Sequence, residues 1–384
     1  MSYLDTVSNA NTLFDAFHKA QQGSGWKTST QRCDLNLLRN ILHLQKSLRD
    51  GTYRQRPFVE FIQNERGKVR PIRAQHITDR IVQRAVCDYV LIPLLTPFLV
   101  YDNGASMKNK GLDFSRRRMK THLQKFIRHH EDGYILLIDF SKFFDNIDHD
   151  LLLSKMAERM RDDLSLLPLI RHLVDSFSSD VSYMSEDEFN NSTNTPFNCL
   201  THRQRLREYD GPKGKKWFRK SVGIGSQVSQ ISGVFFPSQI DNYFKTVKGF
   251  KFYGRYMDDV YIISPDKDEL KKALDAFVSL AEGLGMFVNR KKTHIVKLSH
   301  GFTYLKTRFI VVAGRVITKA DNSAFVRERR RLKRYRGLLE RGDMTRKMVS
   351  DAYQSWRGTV ERHYNRPTNL HHTDKLYSQL FVNN

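Results

Sequence analysis

The run YILLIDF at residues 134–140 constrains this chain more than any other stretch. Ile135 to Ile138 are consecutive apolar residues, the pattern of a strand buried on both faces, and the run ends on a carboxylate, Asp139. More than a hundred residues on, YGRYMDDVYIIS at 253–264 sets two adjacent carboxylates, Asp258 and Asp259, between apolar, β-rich runs. Tyr253, Tyr256 and Met257 precede the pair, and Val260, Tyr261, Ile262 and Ile263 follow it. That reads as two short strands joined by a tight turn. Two readings fit the pair taken alone. Its side chains bond local backbone in an ordinary hairpin turn, or they sit at a strand end to hold hard divalent cations. A single antiparallel sheet would bring all three acids to one rim, where carboxylates from separate strands can clamp metal ions for phosphoryl transfer.

Charge narrows the partner. Lys and Arg number 64 against 41 Asp and Glu, a formal net charge of +23. Basic surface neutralises phosphates and releases counterions, so a polyanion is the expected partner. At 384 residues the chain is long enough for two or three compact units. Cys33, Cys87 and Cys199 are too few and too scattered for a disulfide framework or a zinc site, and they point to a reducing compartment. The opening MSYLDTVSNANTLF lacks the basic and apolar segments of a secretory signal. The most apolar run, Tyr89 to Val100, is short for a bilayer and is broken by Pro93 and Pro97. A cytoplasmic location and no membrane partner are expected.

Residues 1–60 read as polar helix, with NLLRNILHLQKSLRDG ending at Gly51. FVEFIQNERGKVRPIR (58–73) alternates around a polar turn and reads as a basic hairpin. DRIVQRAVCDYVLIPLL gives an apolar-periodic helix between Thr78 and Val100. Asp148 stands where an N-cap would start the helix DLLLSKMAERM. Residues 176–220 are polar, irregular and long for a structureless loop, so an insertion is expected there, mobile or ordered by a partner. SVGIGSQVSQISG (221–233) is a glycine- and serine-bearing loop leading into a helix that Pro237 should kink or break. FVRERRRLKRYRGLLERG (325–342) is a basic helix with Leu332, Tyr335, Leu338 and Leu339 on one stripe. It fits a solvated helix packed by that stripe, and equally a helix tracking a nucleic-acid backbone.

Taken in order, these segments resemble a reverse transcriptase of the compact bacterial type. LIDFSKFFDNIDH (137–149) is similar to the first acidic motif of the palm, GIGSQVSQ (223–230) to its glycine loop, and YMDD (256–259) to its second acidic motif. NRKKT (289–293) resembles the Asn-x-x-Lys-Thr that follows the next helix, and FTYLK (302–306) the strand leading to the thumb. GKVRPI (67–72) and DRIVQRAV (79–86) resemble fingers motifs; SWRG (355–358) and HYN (363–365) resemble a thumb signature. The likeness runs over about residues 60–365.

It implies an α+β right-hand polymerase: a helical extension at 1–60, fingers at 61–133, an antiparallel palm with helices at 134–300, and a helical thumb and tail at 301–384. It implies RNA-directed DNA synthesis from dNTPs with two Mg²⁺ ions, or Mn²⁺ in their place, held by Asp139, Asp258 and Asp259. Phe144 would be the steric gate whose ring excludes a ribose 2′-hydroxyl. Lys68 and Arg70 would grip the triphosphate. Lys292 would stand by the leaving pyrophosphate, as proton donor or as electrostatic support. Gly225, Ser229 and Gln230 would form the loop and helix start against the template base and the nucleotide. Arg329, Arg330, Lys333 and Arg334 would contact the nucleic-acid backbone. The implied partners are a structured template RNA and the RNA–DNA product, with a homo-oligomer or an accessory protein left open.

The chain also departs from the family. Many bacterial members read Gln-Gly-x-x-x-Ser-Pro in the glycine loop, whereas Ile224 to Gln230 reads Ile-Gly-x-x-x-Ser-Gln. That form resembles diversity-generating and defence-associated enzymes. Lys306 stands where Gly is common. No RNase H, endonuclease or protease module is legible. Antiphage defence is the favoured setting, with diversity-generating or retron-like synthesis behind it. Template-independent synthesis and a non-catalytic RNA-binding scaffold are the rivals; the three intact acids speak against the scaffold.

Overall fold

The computed structural model describes residues 1–65, 68–363 and 368–382. A hairpin of β1 (Val59–Glu65) and β2 (Lys68–Ala74) precedes the central sheet. The apolar run of the sequence is β3 (Tyr134–Ser141), the middle strand of that sheet. A short pair, β4 (Ser179–Asp180) and β5 (Trp217–Phe218), lies in the insertion. β6 (Tyr253–Tyr256) and β7 (Asp259–Ser264) form the acidic hairpin, and β7 pairs along β3 from Tyr134↔Ser264 to Asp139↔Asp259. The other edge of β3 is shared by β8 (Phe287–Val288) and β9 (His294–Lys297). All these pairings are antiparallel.

Paired on both edges, β3 is also covered on both faces, which is why its run carries no polar alternation. Leu136, Ile138 and Phe140 point into the larger core with Val260, Ile262 and Phe277. Ile135 and Leu137 point into a second core with Met119, Leu123, Phe126, Tyr261 and Ile263. That second core also holds Phe302, Tyr304 and Phe309 from a three-stranded sheet of β10 (Phe302–Tyr304), β11 (Thr307–Val312) and β12 (Arg315–Ala320). Beyond it, the helices Asn322–Glu340, Arg346–His363 and Thr368–Phe381 pack through Leu332, Val349, Tyr353 and Phe381.

The expectation that prolines break the run before Val100 is corrected. Ile77–Phe98 is one 22-residue helical stretch, long and apolar enough by length and composition to cross a membrane. It widens to a π turn at Cys87–Leu91, where the Ile92 N–H donates to the Cys87 carbonyl five residues back. The widened turn accommodates the Pro93 ring and its missing N–H. The stretch packs as a core helix: Ile77, Ile81, Val82, Ala85, Val86 and Leu91 are buried with Val7, Leu13 and Phe17 of the first helices. Its polar groups are partnered inside. The Tyr53 hydroxyl donates to Asp79, and the Ser226 hydroxyl to Gln83, each at 2.7 Å.

The insertion is likewise no open loop. Val181, Met184, Phe197, Cys199 and Phe218 form a small core of its own, and the helix Cys199–Glu208 runs across it. Pro237 does end the preceding helix: Gln227–Phe235 stops, and Ser238–Asn242 starts after it. Asp148 caps His149–Arg159 by accepting from the Leu151 N–H at 2.9 Å.

One buried ion pair joins the acidic hairpin to these helices. Arg255 is 1% exposed and Asp241 0%. Nε and Nη2 of Arg255 donate to the two Asp241 oxygens at 2.8 and 2.7 Å, and Nη2 also donates to the Val234 carbonyl at 2.6 Å. Nη1 reaches the Met257 carbonyl at 3.2 Å, inside the turn between β6 and β7. Arg255→Met would leave Asp241 buried without its cation. It should cost about 3–5 kcal/mol in urea unfolding at neutral pH, more than replacing both residues by apolar ones.

His122 lies in the second core, against the Tyr261 hydroxyl at 3.0 Å and Arg118 Nη2 at 3.0 Å. Burial pushes its imidazole down to about 4, against the opposing pull of Asp102. The unfolded chain binds a proton at this group near pH 6.5, the folded chain only near 4. Its contribution to stability is therefore complete above pH 6.5 and is lost as pH falls toward 4. The Tm should drop across that window, with a shallower slope in His122→Gln.

Candidate active site

The pairing of β3 with β7 ends at Asp139, directly opposite Asp259, while β3 itself continues to Ser141 against β8; the Phe140 N–H donates to the Asp258 carbonyl at 3.4 Å. Asp258 sits with Met257 in the two-residue turn of the hairpin, closed by the Tyr256↔Asp259 pair. Met257 takes a positive φ of 54°, a strained conformation for an unbranched L residue that costs about 1 kcal/mol. The Arg255 bond to its carbonyl holds the turn in that shape.

Residues 289–293 are keyed onto Asp139. Its carbonyl accepts from the Asn289 N–H at 2.7 Å, and its own N–H donates to the Thr293 hydroxyl at 3.3 Å. Its Oδ2 accepts from Asn289 Nδ2 and Lys292 Nζ, both at 3.1 Å. The spacing Asn-x-x-Lys-Thr thus has a local reason. Asn and Thr fix the backbone of the acid, and Lys neutralises its charge.

Two adjoining cavities share Asp139 and Lys292. The first, about 430 Å³, is lined by Asp139, Asp258, Arg70, Phe144 and Asn289. The second, about 380 Å³, holds Asp259 and reaches Thr303, Tyr304 and Leu305 of the β10 region. The carboxylates are hard oxygen donors of the kind that Mg²⁺ takes, and register places them at one rim, so these residues fit such an ion. Among the described residues, no three His, Cys, Asp or Glu side chains are already gathered as ligands. Register sets the acids along the expected rim. Asp139 is held by Lys292, and Asp258 and Asp259 open to different cavities.

The other expected residues divide. Arg70 and Phe144 line the first cavity; the Lys68 side chain and Tyr364–Asn365 of the thumb signature lie outside the described residues. Gly225 and Gln230 do not line it. They border a neighbouring cavity of about 320 Å³ with Lys19, Arg80 and Arg84. The cause is a parallel bridge between Ile224 and Ile72, with the Arg73 N–H donating to the Ile224 carbonyl at 3.1 Å. This pins the glycine loop to β2, and Gly225, at φ 119°, turns away. A Cβ there would sit 3.2 Å from the Arg73 carbonyl oxygen, so the close backbone approach is to the chain itself. Ser229 is buried and donates to the Val222 carbonyl, tying the loop ends.

On the basic helix, Arg329, Arg330 and Lys333 line a groove of about 460 Å³ with His372, Lys375 and Gln379 of the last helix. Arg334 is exposed outside it, about 40° further round the helix than Arg330. The Leu305–Lys306 turn has φ values of 46° and 64°, which explains why Gly suits this place. Arg116 steadies the turn through two bonds to the Leu305 carbonyl, at 3.1 and 2.8 Å.

Sequence reasoning missed Asn289 as a site residue, though its motif signalled it, and missed Arg116 and Gly233, for which no local signal exists. Gly233 makes room for the Phe144 ring. A Cβ there would lie 2.9 Å from Cε1 of Phe144 and 3.1 Å from Cε1 of Phe143.

Residues 62–309, well over half of the chain, match the family model described as reverse transcriptase (RNA-dependent DNA polymerase). The chain belongs to the reverse transcriptase family. No curated protein matches it. Solved structures similar to it include telomerase of Candida albicans in complex with a TWJ fragment of telomeric RNA, at 13% identity and a TM-score of 0.45. That match covers 85% of this chain and 59% of the telomerase chain. Apo telomerase of Candida tropicalis truncated from its C-terminal domain is similar at 15% identity and a TM-score of 0.44, covering 69% and 55%. The chain thus spans little more than half of the length of these telomerase chains.

Phe143 is buried against Phe140, so an added methyl at Gly233 must displace the half-buried Phe144 ring toward the cavity it lines. Where that cavity takes a nucleotide, Gly233→Ala should weaken dNTP binding about tenfold in equilibrium titration, with little change in Tm.

Proposed function

We propose that this chain is an RNA-directed DNA polymerase that copies an associated structured RNA into DNA from dNTPs. The observation that carries the reading is the rim itself. Asp139 stands in register with Asp259, beside Asp258, and is keyed by Asn289, Lys292 and Thr293 at the mouth of a cavity that Arg70 and Phe144 also line. Mg²⁺ bound by the three acids, as two ions and replaceable by Mn²⁺, would acidify the attacking primer hydroxyl and stabilise the leaving oxygen. Arg70, with Lys68, grips the triphosphate through charge-assisted bonds. The Phe144 ring sits against the sugar, where it leaves no room for a 2′-hydroxyl. Lys292, 3.1 Å from Asp139, balances the acid when the site is empty and faces the departing pyrophosphate during reaction. The groove of Arg329, Arg330 and Lys333 follows the backbone of the RNA–DNA product without reading its sequence.

The biological setting we favour is antiphage defence in a bacterium, on the Ile-Gly-x-x-x-Ser-Gln form of the glycine loop. Diversity-generating synthesis shares that form and is the second reading. The test is nucleotide incorporation by the purified protein with its co-purifying RNA, supplied with Mg²⁺ and either dNTPs or NTPs, beside Asp258→Ala. Incorporation of dNTPs should vanish in the variant, and the product should be complementary to the RNA. Synthesis that survives the substitution sinks the site assignment, and a homopolymer product sinks templating.

A further inference from the structure

The insertion is the long segment to which the polymerase reading gives no task, and its stretch from Phe197 to Arg203 is latched to both sides of the nucleotide cavity. Residues 197–199 dock on the two residues that follow Phe144. The Phe197 N–H donates to Asn146 Oδ1 at 2.9 Å, and Asn146 Nδ2 donates to the Phe197 carbonyl at 3.3 Å. The Cys199 N–H donates to the Asp145 carboxylate at 3.2 Å. Asn146 is fully buried, so this exchange is shielded from water. The far latch is Glu60, which accepts from Arg203 of the insertion at 2.7 Å and from Arg73 at 3.0 Å. Arg73 lies on β2, the strand that carries Arg70. In the same stretch, Asn198 and Leu200 line the cavity of about 430 Å³ that Asp139, Asp258, Arg70 and Phe144 also line.

We propose that the insertion is the third wall of the nucleotide cavity, and that Leu200 is a specificity-determining residue that sets, with Phe144, the width open to the sugar. The proposal rests on the polymerase reading above. The amide of Asn198 is already engaged, its Oδ1 by the Leu200 N–H at 3.2 Å and its Nδ2 by the Thr201 hydroxyl at 2.9 Å. Those local bonds hold the Asn198 amide along the backbone, and the apolar side chain of Leu200 lines the cavity beside it. A 2′-hydroxyl pressed between Leu200 and an aromatic ring loses its water and gains no partner, which disfavours NTPs over dNTPs.

The test is equilibrium titration of a dNTP and the matching NTP into the full chain carrying a template–primer, for wild type, Leu200→Ala and Leu200→Phe. The ratio of NTP to dNTP Kd should fall about tenfold in Leu200→Ala, through tighter NTP binding. Leu200→Phe narrows the wall and should weaken dNTP binding several-fold while the ratio holds. Wild-type Kd values in both variants, with unchanged thermal melts, overturn the proposal. If Leu200→Ala fails to fold, an unchanged dNTP Kd in Leu200→Phe overturns it alone. Binding does not depend on turnover, so loss of incorporation in the wild type would defeat the polymerase reading separately.

Discussion

Asp139 and Asp259 stand directly opposite one another across two antiparallel strands, a placement that is destabilising for like charges. Much of the surrounding structure answers that constraint. A one-residue slip of β3 against β7 would separate the acids, but it would also exchange the residues of the two cores, so burial holds the register. β8 and β9 occupy the other edge of β3 and leave it no alternative partner. Asn289, Lys292 and Thr293 then fasten the backbone of Asp139 and offset its charge. The acids are kept at the rim because the apolar strands behind them have nowhere else to go.

The acidic hairpin is supported from behind by Arg255 and Asp241. A desolvated pair of this kind contributes little net stability against an apolar substitute, yet removing either partner is costly. Its value here is geometric. One guanidinium connects the end of Gln227–Phe235, the following helix and the strained turn that carries Asp258. The glycine loop leads into the same helix and is pinned to β2 at its other side. Palm strand, loop helix and the hairpin bearing Arg70 are therefore joined through short polar links rather than by sequence neighbourhood.

The insertion extends that pattern. Its polarity suggested a mobile segment, but buried aromatics at Phe197 and Phe218 and the amide of Asn146 organise it. A polar surface over a small core looks, in sequence, much like a loop. Only the contacts across some fifty residues, from Asn146 to Phe197, distinguish the two.

The sequence by itself determined the buried strand that carries Asp139, though not its two further residues to Ser141, and the acidic hairpin, the cap at Asp148, the break at Pro237 and the family. These features are local: strand patterning, a cap and a missing N–H each act within a few residues. The tertiary structure decided where the side chains face. It set Asp258 and Asp259 toward different cavities, turned Gly225 and Gln230 away from the acids, and left Arg334 outside the groove of Arg329. It also supplied Gly233 and Arg116, which matter through partners far along the chain. Periodicity reports which residues are buried. Which distant groups meet depends on register, packing and the pairing of buried polar atoms, and those are settled only when the whole chain is folded.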